Sequence, residues 1–314
     1  MTSPVVSSLL PVVLLIAAGY GAGRRGLVSA GSVKELSNLV FLLLAPALLF
    51  RAMSGVHLDE LQFEPVAAYF IASFLLFGGT LLTQGFTRAG AVLGLARTYS
   101  NNVMIGIPLI ALAFGPEGTV VLLTLISLHA LVLLTSATVV LEMAAAREHV
   151  AVGGGPHSMA RSVLRALRNA IIHPVPLPII AGLLFALTGW ELPEVIDRPL
   201  ALLGQAFGPI ALVMVGITLS FTAIGTHWRG ALVQSAVKNL LHPALVVAIG
   251  WALGVSGLPL AVMTVAAALP IGANVFLFSQ RYRTSEELVT ASMAVSTLLA
   301  LATVSVVMAF TARL

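Results

Sequence analysis

The chain has 314 residues, of which 59% are hydrophobic and only 9% charged, too little polar surface to cover a water-soluble globule of that size. Its formal net charge of +4 comes from basic residues placed between apolar runs, so they read as topology signals and no nucleic-acid partner is expected. With no cysteine, disulfides, thiolate metal sites and thiol chemistry are excluded, and no metal site or cofactor is expected.

A bilayer core of about 30 Å needs about 20 apolar residues per helical span. Runs of that kind fall at 4–23, 33–53, 64–87, 97–115, 117–141, 172–190, 199–221, 231–254, 258–280 and 286–311, which predicts ten transmembrane helices in an all-α integral membrane protein. The first run has no basic residue before it, while Arg24 and Arg25 follow it, the reverse of a secretory signal. It is read as a retained span with its N-terminus outside. That orientation puts all of the 16 Lys and Arg residues except Arg51, Arg198 and Arg313 on the inner side, as expected for a bacterial inner-membrane protein with both termini outside.

The fourth run reads Tyr99-Ser100-Asn101-Asn102-Val103-Met104-Ile105-Gly106-Ile107-Pro108, two amides, a glycine and a proline in an otherwise apolar segment. Pro108 has no N–H and clashes with the carbonyl of residue 104, so the helix is expected to kink or open there. In lipid such a break is tolerated where it is packed in protein or lines a wet cavity, as in carrier binding sites. His129 in the fifth run is read as a hydrogen-bonded packing residue, with a proton carrier as the alternative. The loop over 146–171, with Gly153-Gly154-Gly155-Pro156 and then a basic stretch, reads as a cytoplasmic linker and a short surface helix resting on anionic lipid.

That linker separates residues 1–145 from 172–314, five spans each, so the second half enters from the opposite face as an inverted repeat. At an offset of 163, Pro11 meets Pro174, Gly19 meets Gly182 and Pro46 meets Pro209, while Pro108 falls one residue from Pro270. In the eighth run Lys238 and His242 lie one turn apart. Either Lys238 snorkels to the inner surface, or the pair supplies positive charge to a substrate path or replaces a sodium ion. The ninth run repeats the interruption as Leu269-Pro270-Ile271-Gly272-Ala273-Asn274, and the two breaks would face each other near the midplane.

Such breaks aim half-helix N-termini, with partial positive charge, at a shared centre, where an anion is the natural guest. Asn101, Asn102 and Asn274 can donate to a carboxylate, with Gly106, Pro108, Pro270 and Gly272 shaping the site. The plain alternative is that the amides are interhelical glue and the prolines ordinary kinks. Asp occurs only as Asp59 and Asp197, in outer loops, and no Glu lies near mid-span, so coupling through a buried acid is not expected. Facilitated diffusion, exchange, or a Na+ or H+ held by neutral groups remain open. An enzyme is not expected, since no catalytic spacing is present.

The stretches Asn101 to Leu109 and Pro270 to Tyr282, with Phe276 and Phe278 in step, resemble the two broken-helix motifs of the auxin efflux carrier family, including its bacterial malate and malonate permease branch. Phe41 to Phe50 is similar to that family's second span. Plant members carry a second proline where this chain has Val275, and Asn274 resembles the bacterial branch. The resemblance implies a ten-helix crossover fold like that of bile-acid sodium symporters and sodium/proton antiporters. It implies a dimerising scaffold from spans 1, 2, 6 and 7, and a mobile transport unit from spans 3–5 and 8–10. The function expected is elevator-type transport of a small organic anion, a mono- or dicarboxylate such as malonate or malate or an auxin-like acid. An anion channel or a substrate-sensing receptor on the same fold is the alternative.

Overall fold

The computed structural model describes residues 4–55, 63–151, 176–222 and 225–311, and every element among them is helical apart from one isolated two-residue bridge. In chain order the helices are α1 (Pro4–Arg24), α2 (Ser32–Ser54), α3 (Phe63–Gln84), α4 (Arg88–Thr98) and α5 (Ile107–Ala151). Then follow α6 (Pro176–Ala186), α7 (Glu194–Phe221), α8 (Gly225–Ala252), α9 (Gly257–Ala268), α10 (Asn274–Arg281) and α11 (Glu286–Thr311). Among the described residues, 6 unbroken helical stretches are long and apolar enough to cross a membrane: Ser32–Ser54, Phe63–Gln84, Asn102–Ala145, Glu194–Phe221, Gly225–Ala252 and Glu286–Thr311. The linker and surface helix expected over 146–171 fall, from residue 152 on, outside the described residues, as do Pro174 and Asp59.

Three short π-helical turns recur: Val40–Leu44, Asn102–Gly106 and Val237–Leu241. Each is followed two residues later by a proline, Pro46, Pro108 and Pro243. The common cause is the missing proline N–H and the push of its ring on the carbonyl four residues back, which the wider turn relieves. This corrects the expectation for Pro108. The helix does not open there, because the π-turn absorbs the proline, and the interruption lies earlier, at Tyr99–Asn101. The expected boundary between the fourth and fifth spans is where Gly115 takes φ 66° and ψ −159° inside α5, a bend only glycine makes without strain.

α1 lies along α7 with backbone touching backbone. A Cβ built on Gly19 would sit 2.0 Å from the carbonyl oxygen of Val213, and one on Gly216 would sit 1.9 Å from that of Ile16. α2 meets α6 in the same way, since a Cβ on Gly182 would sit 2.7 Å from the carbonyl oxygen of Phe50. Both partners of the Gly19–Val213 contact, moved by the offset of 163, give the Gly182–Phe50 contact. Small residues let helices approach this closely, which matters where lipid offers no hydrophobic drive to pack.

A second body of helices is built on α8, which packs on α3, α9 and α11, while α4 packs on α3 and α9 also lies against α11 and α5. Helix α4 starts where Thr87 accepts a hydrogen bond from the Gly90 N–H at 3.0 Å, nine residues ahead of the expected start of the fourth span. Arg97 is accordingly not an inner-loop residue. It is 8% exposed and donates to Gln234 Oε1 at 2.7 Å and Thr80 Oγ1 at 3.2 Å.

At one end of the bundle, Arg51 of α2 makes a two-pronged ion pair with Asp197 in the first turn of α7, at 2.7 and 3.0 Å. Both side chains are well exposed, and exposed pairs contribute little. Asp197→Asn is therefore expected to leave the thermal midpoint of the purified protein essentially unchanged, and a large drop in a thermal melt would contradict that.

Candidate functional site

The two interrupted helices meet. After Thr98 the chain turns extended at Tyr99 (φ −87°, ψ 106°), and after Ala268 it does so at Leu269 (φ −62°, ψ 155°). Ser100 and Ile271 then pair as an antiparallel bridge. The Asn101 N–H donates to the Pro270 carbonyl at 2.8 Å, and the Gly272 N–H donates to the Tyr99 carbonyl at 2.9 Å. Backbone groups that a break would leave bare in lipid thus satisfy one another. Helix resumes on both sides of this crossing, at Asn102 and at Asn274, so two half-helix N-termini start from it.

Glycine makes the close approach possible. A Cβ on Gly272 would lie 2.8 Å from the Tyr99 ring and 3.1 Å from the Ser100 carbonyl oxygen, and one on Gly106 would lie 2.9 Å from Leu269 Cδ1. Pro108 packs on α7, its Cβ 3.4 Å from where a Cβ on Gly208 would lie. Pro270 lines a thin apolar crevice with Val12, Ile16, Ile105 and Leu109, so α1 covers that flank of the crossing.

The three asparagines have different surroundings. Asn101 Oδ1 accepts from the Met104 N–H at 3.3 Å, capping its own helix. Asn274 Nδ2 donates to the Tyr99 hydroxyl at 2.8 Å, linking one break to the other. Asn102 is 2% exposed, and neither atom of its amide has a hydrogen-bond partner among the described residues, although the amide approaches the Tyr69 hydroxyl. A buried amide in that condition costs free energy until something meets it.

Lys238 does not snorkel. It is 0% exposed, and its Nζ donates to the carbonyls of Ala267 at 2.5 Å and Leu269 at 2.8 Å, closing the C-terminal end of α9 just before the break. Asn239 beside it donates to the Ser296 carbonyl at 2.8 Å, and Ser296 Oγ accepts from the Ile271 N–H at 3.1 Å. His242 Nε2 meets Ser73 Oγ at 3.0 Å. His129 Nε2 meets the Tyr69 hydroxyl at 3.2 Å, which also reaches Ser100 Oγ at 2.9 Å, and the His129 ring lies 4.4 Å from that of Tyr99. The structure therefore draws Lys238, His242 and His129 into one buried polar cluster behind the crossing. Tyr69, Ser73, Tyr99 and Ser100 complete it, and sequence reading missed them. The available signal was a tyrosine inside a long apolar span, whose hydroxyl must find a partner when buried.

An open cavity of about 780 Å³ lies on the α10 side, lined by Val33, Thr218, Phe221, Phe276, Glu286 and Glu287 among others. It lies between α2 and α7 on one wall and α10 and α11 on the other. Its hydroxyls and aromatic rings suit the apolar body of a small ligand, while Glu286 and Glu287, which line it with His227, add negative charge there.

Residues 4–308 match the family model described as "Membrane transport protein". The chain is 28% identical over 305 residues to a protein of Rhizobium meliloti (strain 1021) named "Putative malonate transporter", covering 95% of this chain and 92% of that one. It is 24% identical over 350 residues to "Auxin efflux carrier component 8" of Arabidopsis thaliana, covering 95% of each. An uncharacterized transporter of Methanothermobacter thermautotrophicus is 23% identical over 305 residues, covering 94% of each.

Proposed function

The chain belongs to the auxin efflux carrier family of membrane transport proteins, and from that premise we propose that it carries a small organic anion across the bacterial inner membrane by alternating access. It is a multi-pass transporter and not an enzyme. The observation that carries the proposal is the antiparallel seam between the two interrupted helices, from which two half-helices start with their positive ends together. A substrate carboxylate sits against those ends, held by the Asn101 and Asn274 amides and by Asn102, the buried amide still without a partner. Malonate, the substrate in the name of one relative, and an auxin-like acid, suggested by the other, are the substrates to test first.

In this reading α1, α2, α6 and α7 form the scaffold, through which two copies pair, and α3–α5 with α8–α11 form the transport unit. The glycine contacts within the first group and the packing of the second group around α8 support that division, as does the cavity lying between them. The transport unit slides against the scaffold as an elevator and carries the crossing with it. Ten spans in two inverted halves fit the paired Gly19–Val213 and Gly182–Phe50 contacts. Both termini lie outside, an orientation the basic residues still favour once the buried Arg97 and Lys238 are taken out of the count.

Purified protein is expected to melt at a higher temperature with malonate or indole-3-acetate present, because a ligand that binds only the folded state stabilises it. Losing one hydrogen bond to a charged group costs about 1.5–3 kcal/mol, so Asn101→Ala should weaken the affinity by roughly 10- to 100-fold while the protein stays in the membrane. Equal ligand stabilisation of wild type and Asn101→Ala would refute the assignment.

A further inference from the structure

The amine of Lys238 has no negative partner among the described residues. It is fully buried, and its two hydrogen bonds go to neutral carbonyls, those of Ala267 and Leu269, the second one residue before Pro270. The buried titratable or charged groups on the elements around it are Tyr69 on α3, Arg97 on α4, Tyr99 at the first break, His129 on α5 and His242 on α8 itself. None is a carboxylate. The part of α9 that it caps, Gly257–Ala268, carries no ionisable residue. Among the described residues no Asp or Glu is buried: Glu64, Glu117, Glu286 and Glu287 are exposed, and Glu142 accepts a hydrogen bond from Tyr282.

An isolated ammonium in a low-dielectric interior is costly, and the negative end of one half-helix offsets only part of that. The missing countercharge is the substrate's carboxylate, which enters at the crossing that Lys238 braces. Binding energies are reciprocal. If a proton on Lys238 favours the anion, the anion favours that proton to the same extent. Arg97, the other buried cation, stays charged at all accessible pH and cannot take part. His242, one turn from Lys238, meets Ser73, and Tyr69 lies between His129 and Ser100; these groups both donate and accept and can relay a proton.

We propose that Lys238 is the proton-coupling group of this carrier, taking up a proton as the anion enters the crossing and giving it back as the anion leaves. The proton comes from water on the entry side and goes to water on the exit side, and the carboxylate stays ionised throughout. A monoanion then crosses with no net charge, and a dianion with one negative charge. Lys238 acts through the crossing it closes and is a positioning residue for the anion. The inference rests on the carrier reading above.

The test is a proton count. Full-length purified protein is titrated calorimetrically with malonate and with indole-3-acetate near pH 8, well above carboxylate titration, in buffers of different ionisation enthalpy. Wild type is expected to take up about one proton per anion bound, and Lys238→Arg, whose charge is permanent, none. Binding without proton uptake in wild type, or uptake that persists in Lys238→Arg, overturns the proposal, the second result pointing to the histidines. If Lys238→Arg does not fold, Lys238→Gln replaces it, and uptake persisting there has the same force. If neither acid binds wild type, the carrier reading falls and the inference with it.

Discussion

Gly216→Val is expected to yield almost no folded protein from membranes, while Gly21→Ala behaves as wild type. At Gly216 the built Cβ lies 1.9 Å from the Ile16 carbonyl oxygen and 2.7 Å from the Tyr20 nitrogen, both backbone atoms with no rotamer to give way. Relief requires α1 and α7 to part along the seam that also seats Gly19 against Val213 and Gly23 against Ser220. Overpacking a core by extra methyl groups ordinarily costs about 1–3 kcal/mol. Here two helices lose a continuous face, a loss comparable to the roughly 5–15 kcal/mol that holds a typical protein folded. Gly21, two residues from Gly19 on the same helix, has nothing within 4 Å of its built Cβ, so alanine there meets no clash and favours the helix by up to about 1 kcal/mol. Detergent size-exclusion profiles and thermal melts of the two variants check the contrast. A monodisperse Gly216→Val protein melting with wild type would mean that α1 and α7 do not pack as described.

How much of this was legible in the sequence divides along the range of the interactions. The apolar runs, the span boundary beside Gly115 and the presence of interruptions in the fourth and ninth runs come from local composition, and they are readable. The place of the first interruption was not. Pro108 marks a local difficulty that a π-turn resolves locally, whereas the chain opens at Tyr99–Asn101 because a partner strand segment 171 residues away, Ile271 opposite Ser100, takes up its backbone groups. Charge misled in the same manner. Arg97, and Lys238 on one of its two readings, count as inner-surface residues because a charge in an apolar protein ordinarily marks a loop. Their partners, Gln234 and Thr80 for one and the Ala267 and Leu269 carbonyls for the other, lie 137, 17, 29 and 31 residues away, so no neighbour in the chain announces that they can be buried. Asn101 has a further local role that its residue type alone does not announce: its oxygen caps the helix that follows, while its NH2 stays able to donate.

Gly272→Val is expected to cost transport by about 100-fold or more while leaving the protein in the membrane. A Cβ there would lie 2.8 Å from the Tyr99 ring, which is wedged against His129 at 4.4 Å and tied to Asn274 at 2.8 Å. The ring has little room to swing, so the valine opens the bridge instead. The bonds from Asn101 to Pro270 and from Gly272 to Tyr99 go with it, and buried backbone groups left unmet cost about 1–3 kcal/mol each. Two such losses at the substrate's seat, about 2–6 kcal/mol together, bracket the roughly 2.7 kcal/mol of a 100-fold fall in rate if the energy is lost from the transporting state. The unbroken helices that anchor the chain do not depend on this contact, so insertion survives. Counterflow of labelled malonate or indole-3-acetate into proteoliposomes, normalised to reconstituted protein, measures the effect, with Gly78→Val, whose built Cβ meets nothing within 4 Å, as the control. Truncating the obstacle distinguishes a blocked crossing from a disrupted one: Tyr99→Ala combined with Gly272→Val should recover part of the lost rate, because the nearer clash is with the ring. Recovery stays incomplete, since the Ser100 carbonyl remains 3.1 Å from the new carbon and Asn274 loses its partner. Wild-type flux in Gly272→Val alone would show that the two interrupted helices need not touch for the carrier to work.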